Sequence, residues 1–272
     1  DGSVREALLG CATPEHYIHQ NAFLGASVGR YANRIAKSQF VLDGETWALV
    51  PSQGENQLHG GPEGFDKRRW LIERQNDSEA LLSLTSPDGD QGFPGKVNAS
   101  VLYRLGEDNR LAIEYRATTD KPCPVNLTNH AYFNLNGEQS DVRSHRLQLL
   151  ADAYLPVDSM GIPTGDLKNV AQTSFDFRQP KTLAQDFLSD DDQRVVKGYD
   201  HAFLLQAKGD ASQPAAHVWS ADNKLQMSVY TSAPALQFYS GNFLEGTPAR
   251  GNTAYSAWQG LALESEDRKS VV

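Results

Sequence analysis

Apolar and polar residues alternate along much of this 272-residue chain. In residues 110–117, Leu111, Ile113, Tyr115 and Ala117 point one way, while Arg110, Glu114 and Arg116 point the other. In residues 224–231, Leu225, Met227 and Val229 alternate with Lys224, Gln226 and Ser228. A repeat of two is the period of a strand with one face on a core and one in water, so both segments are predicted as half-buried antiparallel strands. Turn signals recur between such runs: Asp43-Gly44, Asp88-Gly89, Gly92 to Gly95, Asn136-Gly137 and Gly165-Asp166. Only residues 182–196 carry a helical spacing, with Leu183, Phe187 and Val195 apolar and Asp190 to Asp192 exposed. A mostly β architecture with long loops follows.

Composition narrows the function. Hydrophobic residues make up 39% of the chain, enough for a sizeable core. All-β sandwiches of roughly 200–250 residues commonly form one domain, so residues 1–272 are read as a single domain. The net charge is -9 and the pI about 5.2, with no basic block. Such a chain repels phosphate backbones and anionic lipid, so neither nucleic acid nor a membrane surface is expected as a partner. No apolar run approaches the roughly 18 residues of a membrane-spanning helix, and no signal-peptide pattern opens the sequence. Cys11 and Cys123 lie far apart and form neither a metal pattern nor a disulfide framework. A reducing, cytoplasmic setting is the simplest reading. The stretch DGSVREALLG reads like the middle of a hairpin, and DRKSVV follows abruptly on an apolar strand. The ends are therefore read as those of a fragment or an altered reading frame.

Seven histidines are present. His16, His19, His145 and His217 lie in mixed surroundings and read as solvated surface residues. His59, in NQLHGGPEGFDKRRW, precedes glycines that permit either a tight turn or a close backbone approach to a ligand. His130, in NLTNHAYFNLNG, is either a core histidine satisfied by neighbouring amides or a functional one. In GYDHAFLL, strand alternation places Asp200 and His201 on opposite faces. Asp200 needs a partner if buried: a ligand hydroxyl, an arginine or a turn that it caps. Arg34, beside Asn33 in GRYANRI, is either a surface charge or a planar donor to ligand oxygens. In GLALES, Leu261 and Leu263 face one side and Ala262 and Glu264 the other. Glu264 is either a strand-end residue in solvent or a carboxylate whose lost hydration makes it a better base. Metal-site spacings, the GxSxG elbow, the P-loop and the dinucleotide fingerprint are absent from the sequence. Amides, arginine and carboxylates fix hydroxyl groups, and aromatics cover a sugar's C–H face. The inventory fits a carbohydrate pocket better than a nucleotide pocket.

Several stretches resemble the galactose mutarotases, or aldose 1-epimerases, of the bacterial type. They are GASVGRYANRIA, NQLHGGPEGFDKRRW, DGDQGFPG, NLTNHAYFNLNG, YLPVDSMGIPTG, GYDHAFLL, ALQFYSGNF and GLALESE, in family order along the chain as far as residue 266. The resemblance implies a large antiparallel β-sandwich. It also implies interconversion of the α and β anomers of galactose, glucose and related aldoses, with no cofactor and no metal. It places the general acid on His130 and the general base on Glu264. Sugar-binding roles fall on Asn33, Arg34, His59, Tyr132, Asp200 and Gln237. The family normally has further residues before the region matching Asp1 and beyond Asp267, so the sandwich is expected to lack its N-terminal and C-terminal strands. Two other readings remain at this point. One is a hexose-6-phosphate epimerase of the same superfamily, for which Lys67-Arg68-Arg69 is a candidate phosphate cradle. The other is a non-catalytic sugar-binding remnant. A monomer or weak homodimer is expected.

Overall fold

The computed structural model describes residues 4–137, 140–251 and 253–267. It divides into two compact units, Asp1–Gly25 with His130–Val271, and Ala26–Asn129.

The larger unit is built from two antiparallel sheets. The six-stranded sheet runs, in spatial order, Tyr132–Phe133, Leu261–Glu266, Ala235–Tyr239, Asp200–Leu205, Ala151–Tyr154 and Lys168–Asn169. The four-stranded sheet runs Lys181–Thr182, Arg146–Leu149, Pro214–Trp219 and Gln226–Tyr230. Side chains alternate on both. Leu147, Leu149, Ala216 and Val218 leave one sheet; Phe203, Leu205, Leu236, Phe238, Leu261 and Leu263 leave the other. All ten belong to one buried cluster, so the sheets face each other across it as a sandwich. The predicted alternation of Met227 and Val229 is seen, both packing on this cluster.

The smaller unit holds a four-stranded antiparallel meander, Leu71–Gln75, Glu79–Ser86, Val97–Leu105 and Leu111–Thr119. The predicted Asp43-Gly44 turn joins Gln39–Leu42 to Glu45–Ala48. Its two residues have φ of 52° and 82°, as the twist of a two-residue hairpin requires. Arg30 is almost fully buried. Its guanidinium donates to the carbonyls of Pro94 and Gly95, both at 2.9 Å, and of Pro87 at 3.0 Å, and to Ser86 Oγ at 2.6 Å. One buried cation thus gathers the loop that links two strands of the meander.

Two expectations are corrected. Residues 182–196 do not form one helix, nor are they the only helical stretch, since an α-helix spans Pro14–His19. A 3-10 turn spans Leu183–Asp186, and an α-helix spans only Asp191–Val195. Asp190 ends the intervening loop as an N-cap, its carboxylate accepting from Gln193 N–H at 3.2 Å. A side chain that caps cannot also sit mid-helix. His145 is not a surface residue; it is fully buried. Its Nε2 accepts the Leu135 N–H at 2.8 Å, and its Nδ1 donates to Val142 O at 3.0 Å. Burial pushes this imidazole down to about 4.

The His145 shift has a stability consequence. The unfolded ring gains its proton near pH 6.5, the folded ring only near 4, so stability is present above 6.5 and is lost as pH falls toward 4. The full loss is about 3 kcal/mol. His145→Gln should be less stable than the parent at pH 7, and the gap should narrow by pH 4 in urea unfolding. An unchanged gap would show that His145 does not drive this part of the pH dependence.

Candidate active site

The face of the six-stranded sheet opposite the apolar cluster carries buried polar side chains beside a second, smaller hydrophobic cluster that includes Tyr132, Tyr239 and Ala262. In the register, Ala202 pairs with Gln237 and Gln237 with Glu264; Asp200 pairs with Tyr239, and both Tyr239 and Tyr132 pair with Ala262. Directly paired residues share a face. Asp200, Gln237, Tyr239, Glu264 and Tyr132 therefore project together, and all are buried. The Glu264 side chain does not reach solvent; its strand is central, and only 3% of the residue is exposed. Gln237 Nε2 donates to Asp200 Oδ1 at 2.5 Å. That bond fixes which end of the amide is which, because the carboxylate accepts only from N–H. Gln237 Oε1 is then a buried acceptor with no hydrogen-bond partner among the described residues.

His130 lies just before the Tyr132 strand. Its Nε2 is 3.5 Å from Glu264 Oε1. A charge-assisted hydrogen bond would be about 2.7–2.9 Å, so the two groups are close without being locked together. Tyr132 lies against the imidazole with ring centroids 4.8 Å apart. Tyr239 meets it edge-on at 6.4 Å and Phe23 stacks on it at 5.8 Å. Burial drives the Tyr132 phenol well above its usual range, with Tyr239, Glu264 and Asp200 adding to the effect. This hydroxyl therefore stays neutral and can donate. Two of the asparagines around His130 serve the loop instead: Asn134 donates to Ser140 O and Gln259 O, and Asn136 to Ser144 Oγ. Asp200 and His201 do take opposite faces. His201 packs edge-on against Phe175 at 4.7 Å, and its Nδ1 accepts the Asp200 N–H at 3.0 Å.

The smaller unit brings together Asn33, Arg34 and His59. The Asn33 N–H donates to His59 Nδ1 at 3.1 Å, and the His59 N–H returns to Asn33 O at 2.9 Å. With Nδ1 accepting, the proton of the neutral ring sits on Nε2, which becomes a donor. Asn33 and His59 both have positive φ, 68° and 52°. Gly60 follows because a Cβ there would lie 2.0 Å from Gly29 O. Arg34 is oriented by Nε to Gln53 Oε1 at 2.7 Å. Arg68 of the candidate phosphate cradle is committed to Asp90 at 2.6 Å and to Glu63 O at 2.9 Å.

Tyr239 and Phe23 were not among the candidates. Tyr239 had a signal, since it lies two residues beyond Gln237 and so shares its face. Phe23 lies in a turn, where no periodicity marks it.

The family model for aldose 1-epimerase matches residues 1–267. The chain belongs to the aldose 1-epimerase family. The aldose 1-epimerase of Escherichia coli is 73% identical over 266 residues, covering 98% of this chain and 77% of that protein. That of Haemophilus influenzae is 52% identical, covering 97% and 77%. The crystal structure of a galactose 1-epimerase from Lactobacillus acidophilus matches with a TM-score of 0.87 at 34% identity, covering 98% of this chain and 78% of that one. The antiparallel β fold expected from the sequence is thus the fold of the family. No helix among the described residues is long and apolar enough to cross a membrane.

The Asp200–Gln237 bond yields a test. In Gln237→Glu a second carboxylate stands beside Asp200 and opposite Glu264, and like charges so close resist ionising together. The new group's folded pKa rises above its unfolded value of about 4.3, so the variant loses stability as pH rises through that range. Its melting temperature should lag the parent's more at pH 7 than at pH 4. An equal lag at both would mean that the carboxylates do not sense one another.

Proposed function

We propose that the anomer interconversion of aldoses, which this enzyme catalyses, runs on His130 as general acid and Glu264 as general base. The observation that carries the assignment is the approach of His130 Nε2 to Glu264 Oε1, 3.5 Å, with both residues buried. Ring opening removes a proton from the C1 hydroxyl and gives one to the ring oxygen. Both oxygens are bonded to C1, so the base and the acid must converge on one carbon. A carboxylate and an imidazole this close suit that demand, and each transfer is worth typically 10²–10⁴-fold. The open aldehyde turns about its C1–C2 bond, and the reverse transfers close the ring on the other face.

Turning at C1 requires the far hydroxyls to be held while C1 stays loose. In this reading Asp200 and Gln237 hold hydroxyls, Gln237 through its available Oε1, and the neutral Tyr132 phenol donates a third bond. Asn33, Arg34 and His59 receive sugar-binding roles too, His59 through the Nε2–H that its Nδ1 bond implies. No cofactor takes part. We also retain a monomer or weak homodimer, without nucleic-acid or membrane partners. A reducing, cytoplasmic setting is in keeping with the free thiols of Cys11 and Cys123.

His130→Asn and Glu264→Gln should each lower kcat by at least about 10²-fold, the low end for one acid or base, with smaller changes in KM. Polarimetry on freshly dissolved α-D-galactose reads this directly, and near-parental turnover in either variant removes that residue from its role. Free glucose should be preferred to glucose 6-phosphate, because Arg68 is already paired; a clear preference for the phosphate would move the enzyme to the hexose-phosphate class. His59, His130 and Glu264 are also residue types that could ligate a metal ion. Treatment with EDTA should nevertheless leave the rate unchanged, and a loss restored by a divalent ion would replace the proton-transfer roles with metal ligation.

A further inference from the structure

Phe23 has a backbone φ of 58°. An aromatic residue in the left-handed region is an outlier, held there by its surroundings. Those surroundings are well defined. Gln20 Oε1 accepts the N–H groups of Ala22 at 2.7 Å and Leu24 at 3.4 Å, bracketing Phe23. Leu24 is buried in the cluster that contains Leu9, Tyr132 and Tyr239. The Gly25 N–H donates to the carbonyl of His130 at 3.0 Å. The strained turn thus grips the His130 backbone at Gly25, while the Phe23 ring stacks on the imidazole with planes 27° apart.

We infer that Phe23 is a positioning residue for the general acid: its ring restricts rotation of the His130 imidazole and keeps Nε2 on the side of Glu264. This rests on the assignment of His130 as the acid. The torsion that turns an imidazole is broad and has no sharp staggered wells, so a neighbouring ring must define it. Tyr132 and Tyr239 touch the same imidazole from the buried sheet face. Phe23 comes from a turn and is only partly buried, so it can be replaced with less disturbance of the core.

Three variants test this, with His130→Asn measured in parallel. Phe23→Gly removes the ring while suiting the positive φ, Phe23→Leu keeps apolar bulk without a planar face, and Phe23→Tyr restores the face. A displaced acid loses rate steeply, about 10²-fold for 1 Å, so partial freedom in the Gly and Leu variants should lower kcat about tenfold. KM should stay within about threefold, and Phe23→Tyr should return kcat to within about twofold of the parent. The His130 imidazole proton resonances should move in the Leu variant and hold in the Tyr variant, as the ring current of a stacked neighbour demands. Parental kcat in the Gly and Leu variants, with His130→Asn impaired, would overturn the positioning role and leave the acid in place. A rise in KM at constant kcat would overturn it as well, making Phe23 a sugar contact. Parental turnover in His130→Asn would remove the acid assignment and this inference together.

Discussion

Everything on the six-stranded sheet depends on the two-residue period of an extended chain. The strands Asp200–Leu205, Ala235–Tyr239 and Leu261–Glu266 each send one set of side chains into the apolar cluster. The other set has no choice of direction. Once Phe203, Leu236, Phe238 and Leu263 are buried, Asp200, Gln237 and Glu264 must lie together on the reverse face. The free energy that holds the constellation therefore comes largely from apolar burial on the other side. Burial of apolar surface is worth roughly 25 cal/mol per Å², and those Phe and Leu side chains are almost wholly buried. Register carries the same weight: a slip of one residue would exchange Glu264 for Leu263.

The polar face also manages its own desolvation in pairs. Asp200 is matched by the Gln237 amide, and His130 stands beside Glu264. Tyr132, neutral through burial, adds no charge. A buried carboxylate without such company would be costly, and the face also carries a third buried acid, Glu266, two residues beyond Glu264 on the same strand.

How much of this was legible in the sequence varies with the kind of signal. The strands were, because alternation is a local property, but the leading apolar positions Leu111 and Leu225 stay exposed, and Leu225 lies outside its strand. The Asp43-Gly44 turn was, because its dipeptide fits a φ requirement that few others meet. Glu264 was legible as a face but not as a buried group, since burial depends on which strands flank it. His145 was misplaced for the same reason: its partners, Leu135 N–H and Val142 O, are backbone atoms that carry no sequence signature. The break within residues 182–196 was hidden because Asp190 serves equally well inside a polar helical face or as the cap of a shorter helix. The roles of His130 and Asp200 came from resemblance, and local sequence left them open.

Arg30 has a consequence for the order in which the chain assembles. Its guanidinium reaches carbonyls 57 to 65 residues away, at Pro87, Pro94 and Gly95. Such distant contacts must close a long stretch of chain before they return any stabilisation. The loop from Ser86 to Gly95 is held by that outside charge and also by its own carboxylates, Asp88 accepting the Gly95 N–H at 2.6 Å and Asp90 the Ser86 hydroxyl at 2.5 Å. Those of its contacts that need Arg30 are therefore expected to form late, after the meander has brought its strands together. Pulse-labelled amides of this loop would gain protection after those of Val97–Leu105, and protection arriving first in the loop would mean that it folds without its cation.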